Sequence, residues 1–303
     1  MSMINDIYKK YGIKGVIPYV VTRGSKGYDF LAERLSQGEV FYIIWLTKPE
    51  LPLLSMDDRY VKAHCFSDQK EAKIFANKMI MKGYVAEAKL VEGSDVFYRL
   101  HELGVDAVVF DGTATVFVED IGIVGQKDGF ISADLPVQNA RINALLCCAC
   151  QERDAGKEAV SYLTAAIRLL KDGYLLVPLR TDVGRSRQKE ATVNEMEIPY
   201  IEADGRTYIP MFTDTESFEY FFTANEWFRK LIGKQYCCVL DYDRIRAMVV
   251  DLSTVPIVIN PGTLNCVLSR QDFIALEAFV LARESQERKE NTDDEDPMPE
   301  FLK

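Results

Sequence analysis

Histidine is almost missing from this chain, with two residues among 303, and long apolar runs are missing altogether. The densest, Val40 to Leu46, falls far short of the ~18 residues that suggest a membrane helix, so it reads as a buried strand and no membrane partner is expected. Met1 to Lys10 mixes acidic and basic residues with no apolar stretch behind it. That is not a secretory signal, and a cytoplasmic location is expected. Basic charge is short as well. A net charge of −10 and a sequence pI near 4.9 argue against nucleic acid, whose phosphates need a basic footprint. Catalytic fingerprints are missing too. Gly122 to Gly125 with Gly129, and Arg23 to Gly27, match no Walker or dinucleotide pattern and read as loops. The seven cysteines are odd in number and irregularly spaced, with adjacent pairs at Cys147-Cys148 and Cys237-Cys238. Reduced thiols fit this better than a disulfide framework.

What is present is an ordinary globular composition, 48% hydrophobic and 27% charged, which supports a packed core. At ~150 residues per domain the length suggests two of them. The chain also repeats itself. Leu35 to Gly38 followed by Val40 to Ile44 matches Leu170 to Gly173 followed by Leu175 to Leu179. Leu51 to Leu54, Asp57, Arg59 and the segment ending Cys65-Phe66-Ser67-Asp68 match Ile198 to Ile201, Asp204, Arg206 and the segment ending Met211-Phe212-Thr213-Asp214. Ala107 to Asp111 through Val118 to Gly122 aligns onto Ala247 to Asp251 through Val258 to Gly262. Three blocks in one order point to an α+β fold made by tandem duplication of one α/β unit, with mixed sheets and flanking helices. The seam falls near Asp134 to Pro136. The units are then 1–134 and 135–283, followed by an acidic tail, 284–303, with eight acidic and three basic residues. Its composition predicts disorder.

Periodicity fills in each unit. Tyr28, Leu31 and Leu35 space one helix, and Val160, Leu163, Ile167 and Leu170 its counterpart. Ala203-Asp204-Gly205 turns a hairpin between Ile198 to Ile201 and Thr207 to Phe212. Thr213 with Glu216 reads as a capping box for a helix burying Phe218, Phe221 and Phe222. Asp68 with Glu71 opens the helix of Ala72, Phe75, Ala76 and Met79. Phe66 and Phe212 are expected as equivalent core residues, with Ser67 and Thr213 as caps. Ala107 to Phe110 with Val116 to Val118, and Ala247 to Val250 with Ile257 to Ile259, read as closing strands. Lys82 to Ser94 and Arg180 to Glu197 read as polar loops. Further helices are expected at Ile4 to Tyr11, Val137 to Cys150 and Ala275 to Arg283.

The second unit resembles the N-terminal domain of the SseB family, the enhanced serine sensitivity proteins of bacteria. The resemblance rests on Gly173 to Pro178, the hairpin Ile198 to Ile209, Phe212-Thr213-Asp214, and Val258-Ile259-Asn260-Pro261-Gly262 before Leu268-Ser269. It covers about residues 137 to 282 and makes the first unit a divergent relative, with Asp120-Ile121-Gly122 in place of Asn-Pro-Gly. It implies a bacterial, cytoplasmic α/β domain and carries over no catalytic residues.

Among chemistry-bearing residues, Cys147 and Cys150 share a helical face, but a structural zinc wants four ligands and only His64 and His101 add imidazoles. No metal and no cofactor are expected. Adjacent strand residues point to opposite faces, so His64-Cys65 is not a nucleophile pair. Asp251 and Asn260, with Asp111 and Asp120 as their counterparts, sit at the ends of apolar strands, where α/β proteins place ligand groups; the same residues also suit tight turns. Two functions fit: a noncatalytic protein binding a protein partner or small ligand, or an enzyme using Asp251 or Asp111 as a carboxylate between the units. A weak contact of the acidic run Asp293 to Asp296 with the basic loop Arg180, Arg185, Arg187 and Lys189 is a further expectation.

Overall fold

In the computed structural model, which describes residues 19–21, 39–47, 50–57, 60–112, 114–118, 139–181, 196–232 and 236–293, the apolar run at Val40 becomes the central strand of the first half. The first half comprises β1 (Tyr19–Val21), β2 (Val40–Thr47), β3 (Glu50–Pro52), β4 (Leu54–Met56), β5 (Val61–Phe66), α1 (Gln69–Ile80), β6 (Ala86–Glu92), α2 (Gly93–Glu102), β7 (Ala107–Phe110) and β8 (Ala114–Phe117). Then come α3 (Ala140–Asp154), α4 (Val160–Leu170), β9 (Tyr174–Thr181), β10 (Met196–Glu197), β11 (Ile201–Ala203), β12 (Arg206–Met211), α5 (Thr215–Ala224), α6 (Glu226–Ile232), β13 (Tyr236–Asp241), α7 (Tyr242–Arg246), β14 (Ile257–Ile259), β15 (Cys266–Leu268) and α8 (Arg270–Asp293). The result is a mixed α and β architecture with several mixed sheets.

One order of pairing runs through both halves. β2 pairs antiparallel with β6, as β9 does with β13. β2 meets β5 at Tyr42 and Phe66, and β9 meets β12 at Leu176 and Phe212. The hairpins β4–β5 and β11–β12 match, and β5 runs parallel to β7 as β12 does to β14. β7–β8 and β14–β15 close each half as antiparallel pairs. The β11–β12 turn has two central residues, Asp204 and Gly205, both at positive φ (52° and 72°), the geometry whose twist suits a hairpin.

Several expectations need correction. Ala247 to Val250 is helical: α7 continues through a wider turn, Ala247–Leu252, that buries Met248, Val249 and Val250. A short apolar run suits a buried helix as well as a strand, and Asp241, whose carboxylate accepts from the Arg244 N–H, starts the helix here. The third sequence block is therefore out of register: the place of β7 in its sheet is taken by β14, not by the segment containing Met248. Lys82 to Ser94 is no loop, because it contains β6. Asp68 opens its helix as expected, accepting from the N–H groups of Lys70 and Glu71, and Ser67 precedes it instead of acting as the cap. In the second half the cap lies one residue later than expected: Asp214 accepts from the Ser217 N–H, so Thr213 precedes the cap and Glu216 is not the capping-box partner. The C-terminal helix reaches Asp293, ten residues into the supposed disordered tail. The helices expected at Ile4 to Tyr11 and Tyr28 to Leu35, the seam at Asp134 to Pro136, the loop 182–195 and the end of the tail lie outside the described residues.

Helix α3 holds the molecule together. Every residue from Ile142 to Gln151 is buried, ten in succession, because the helix has neighbours on all sides. It packs along α4 and against β4, and the principal core runs through it from Phe41 and Phe110 to Leu175 and Leu268. A smaller apolar cluster lies on the outer face of each half. Phe66 sits with Leu46, Ala72 and Ala76 beneath α1, and Phe212 with Phe218, Phe221 and Phe228 beneath α5 and α6. Both phenylalanines are buried, as expected from their matched positions.

Candidate functional site

Of the residues read as strand ends, Asn260 and Asp111 occupy matching places and Asp251 a different one. Asn260 ends β14 with φ at 49°, a conformation asparagine tolerates better than most residues. Its backbone N–H donates to Met211 O at 2.8 Å, and its carbonyl accepts from the N–H groups of Thr263 and Asn265. The side chain turns inward and is fully buried. Oδ1 accepts from the Thr213 N–H at 2.9 Å; Nδ2 donates to Thr213 Oγ1 at 2.7 Å and to Asn143 Oδ1 at 2.9 Å. Thr213 Oγ1 donates onward to Asp214 Oδ2 at 2.7 Å, and the other oxygen of Asp214 caps α5. Asn139 Nδ2 donates to Thr213 O at 2.8 Å. Thus β14, the β12–α5 junction and α3 are tied by one closed polar network, each amide atom of Asn260 used. The chain then turns at Gly262, at φ 85°, where a Cβ would meet the Phe221 ring at 3.0 Å.

Asp111 ends β7 in the corresponding place, with φ at 48°. Its N–H donates to Cys65 O, its Oδ1 accepts from the Ser67 N–H and its Oδ2 from Ser67 Oγ, each at 2.9 Å. The pair Asp111 and Ser67 thus does in the first half what Asn260 and Thr213 do in the second. The sequence alignment coupled Asp111 to Asp251 instead. Asp251 is exposed at the end of the helical segment after α7 and pairs with Arg246 at 3.4 Å; Arg246 also donates to Glu277 at 2.9 Å. It ends no strand and does not share the Asn260 network. Asp120 lies outside the described residues.

Burial governs the thiols except in the Cys150–Cys266 pair, where the hydrogen bond between them dominates and lowers Cys266. Cys147 is pushed well above the usual thiol range by desolvation, Cys148 is pushed up to about 12 by the same cause, and Cys65 is raised by burial with the Asp111 charge adding to it. Cys150 is raised by its hydrogen bond to Cys266 and by burial. A thiol held protonated is a poor nucleophile and a poor ligand. His64 is lowered to about 4 by burial, with the charges of Lys62 and Lys82 acting the same way. Its Nε2 is 2.9 Å from Ser55 Oγ and its ring lies against Phe75, while Cys65 points into the main core on the other face. Among the described residues, no group of three or more His, Cys, Asp and Glu could hold a metal ion.

Two residues escaped the sequence reading. Asn143 and Gln151 are buried on α3, two turns apart, the first inside and the second just past the stretch Val137 to Cys150, which reads only as apolar. Gln151 Nε2 donates to Pro52 O at 2.7 Å and its Oε1 accepts from the Leu54 N–H at 3.0 Å, so the amide satisfies the backbone between β3 and β4. Amides within an apolar helical run are the signal that could have revealed both, since such groups are buried only when paired. Beside this contact a cavity of about 110 Å³ opens between Leu46, Tyr84, Gln151 and Asp154. Tyr84 OH donates to Glu152 at 2.7 Å, and Lys157 lies 3.8 Å from the centre of the tyrosine ring.

No curated protein matches the chain. Among solved structures, the Anabaena Tic22, a protein-transport protein, aligns over 71% of this chain and 84% of that chain, at 10% identity and a TM-score of 0.19. Residues 152–273, from the last turn of α3 to the first turn of α8 and including Asn260, Thr213 and Asp214 but not Asn139 or Asn143, match the family model of the SseB protein N-terminal domain, and it is to this family that the second half of the chain is similar.

Proposed function

We propose that the protein is a noncatalytic binding protein of the SseB type, bacterial and cytoplasmic, built from two copies of one unit and engaging a protein partner or a small ligand. The observation that carries this reading is the commitment of Asn260. Its amide is fully buried and spends its hydrogen bonds on Thr213 and Asn143, so the residue type that would present a ligand group holds the fold together instead. The copy relationship draws support from the shared pairing order and from Asp111 and Asn260, alike in φ and in their bonds to Ser67 and Thr213. A reducing compartment agrees with the seven free thiols.

The alternative, an enzyme using Asp251 or Asp111 between the copies, is tested together with the first reading. The full chain, purified from its own host under native conditions, is assayed by mass spectrometry for what remains bound, as wild type and as Asp111→Asn and Asp251→Asn. Binding without catalysis retains the same companion in all three. A companion that is chemically converted by wild type and left unconverted by either variant would establish the enzyme.

A further inference from the structure

Helix α8 is apolar on the side that faces away from the molecule. From Phe273 to Ala282 it carries one polar side chain, Glu277, and that one turns inward, accepting from Tyr242 OH at 2.6 Å and from Arg246 Nε at 2.9 Å. Phe273, Leu276 and Val280 are buried, consistent with the packing of α8 on α4. The outer arc is left to Ile274, Ala275, Ala278, Phe279, Leu281 and Ala282. Ile274 is 44% exposed, Phe279 54% and Leu281 57%. A surface helix ordinarily places its charges outward and its apolar residues inward; here the single charge is inside.

We propose that this arc is the interface of a two-fold homodimer in which α8 packs antiparallel against α8 of a second copy, centred on Ala278. Three features favour a second copy. Reading outward from Ala278, the centre of the arc is self-complementary in size: antiparallel pairing sets Ile274 against Ala282 and Leu281 against Ala275, a large side chain opposite a small one, while Phe279 falls at the edge of the arc beside position 277. The polar residues that end the arc, Gln271 and Ser285, are then opposite one another. The charge agrees. Copies carrying −10 each repel, and the arc holds no charge, so like charges are not forced together on it. The area is also of the right order. The three large side chains expose roughly 300 Å² per chain, so that with the alanines two copies together approach the ~1,000 Å² of a specific interface.

Mass measurement by light scattering on the full chain at micromolar concentration tests this, with thermal melts to check that each variant is folded. Wild type is expected at twice 34.4 kDa. Ala278→Glu and Ala278→Lys, each placing like charges on the two-fold axis, are expected at the mass of one chain, and their equimolar mixture is expected to return to the dimer mass. A wild type at the mass of one chain overturns the proposal, as it would if the chain's own N-terminal segment covered the arc. Dimers that persist in both variants, or a mixture that stays monomeric, overturn it equally. Should the charged variants melt far below wild type, Ala278→Cys takes their place: mild oxidation cross-links it at position 278 if the axis is there, and absence of the cross-link refutes the proposal.

Discussion

Replacing Asn260 by alanine probes the polar network at its centre. The substitution removes three side-chain hydrogen bonds and leaves the Thr213 N–H and Asn143 Oδ1 without their partner in a site closed to water. A stranded buried donor or acceptor costs ~1–3 kcal/mol, and alanine at a φ of 49° adds about 1 kcal/mol because its Cβ crowds the following carbonyl. The expected loss is therefore about 4 kcal/mol, a large share of the ~5–15 kcal/mol that holds a typical domain folded. Urea unfolding at fixed protein concentration, followed by far-ultraviolet circular dichroism, reads this as a lowered midpoint with an unchanged slope. Asp111→Asn is the matched control. It keeps an acceptor for the Ser67 N–H and offers Ser67 Oγ an amide, as Asn260 does for Thr213, so it is expected within about 1 kcal/mol of wild type. A loss below ~1 kcal/mol for Asn260→Ala, or a larger loss for the control, would refute the reasoning, since the network would then be an accessory of the fold.

Acid should weaken the fold through His64. The folded state holds the ring neutral down to about 4, while the unfolded chain takes up its proton near 6.5, so the contribution is complete above pH 6.5 and is lost as pH falls toward 4. The penalty reaches about 2 kcal/mol by pH 5. His64→Gln, which reaches Ser55 without titrating, should lack this part of the pH dependence; equal slopes for the two proteins between pH 7 and 5 would remove His64 as the cause. Phe212→Ala, which empties a fully buried ring site in contact with Phe218 and Phe221, is expected to cost ~3–5 kcal/mol, and a loss under ~1 kcal/mol would place the ring outside the core.

The strands with strong apolar character and clear turn residues were legible from the amino acids: β2, the hairpin at Asp204-Gly205, and the junctions at Phe66 and Phe212. What escaped was decided by tertiary context. β6, with the pattern Ala-Glu-Ala-Lys-Leu-Val-Glu, pairs with β2 alone and exposes Leu90, so its sequence carries little of the apolar signal of a central strand. Met248-Val249-Val250 has the composition of a strand, but the Asp241 cap commits the segment to a helix before the run begins. Reading that block as a strand gives Asp251 a place at a strand end that belongs to Asn260. Asp111 and Asn260, which follow β7 and β14, are legible because each is a polar residue that ends an apolar run. The inward direction of their side chains was not legible, because the partners, Ser67, Thr213 and Asn143, lie 44, 47 and 117 residues away.

Helix α3 belongs to neither half alone. Through Asn143 it completes the second half, and through Gln151 it closes the backbone of the first, eight residues further along the same rod. A fragment cut at residue 152, where the family match begins, would lose Asn139 and Asn143 and expose the side of β14 and α4 that α3 covers. A fragment ending near residue 134 would leave the β3–β4 corner open to water. Any genetic dissection must therefore give α3 to both pieces, and in the intact chain neither half can melt without stripping the other of a shared wall.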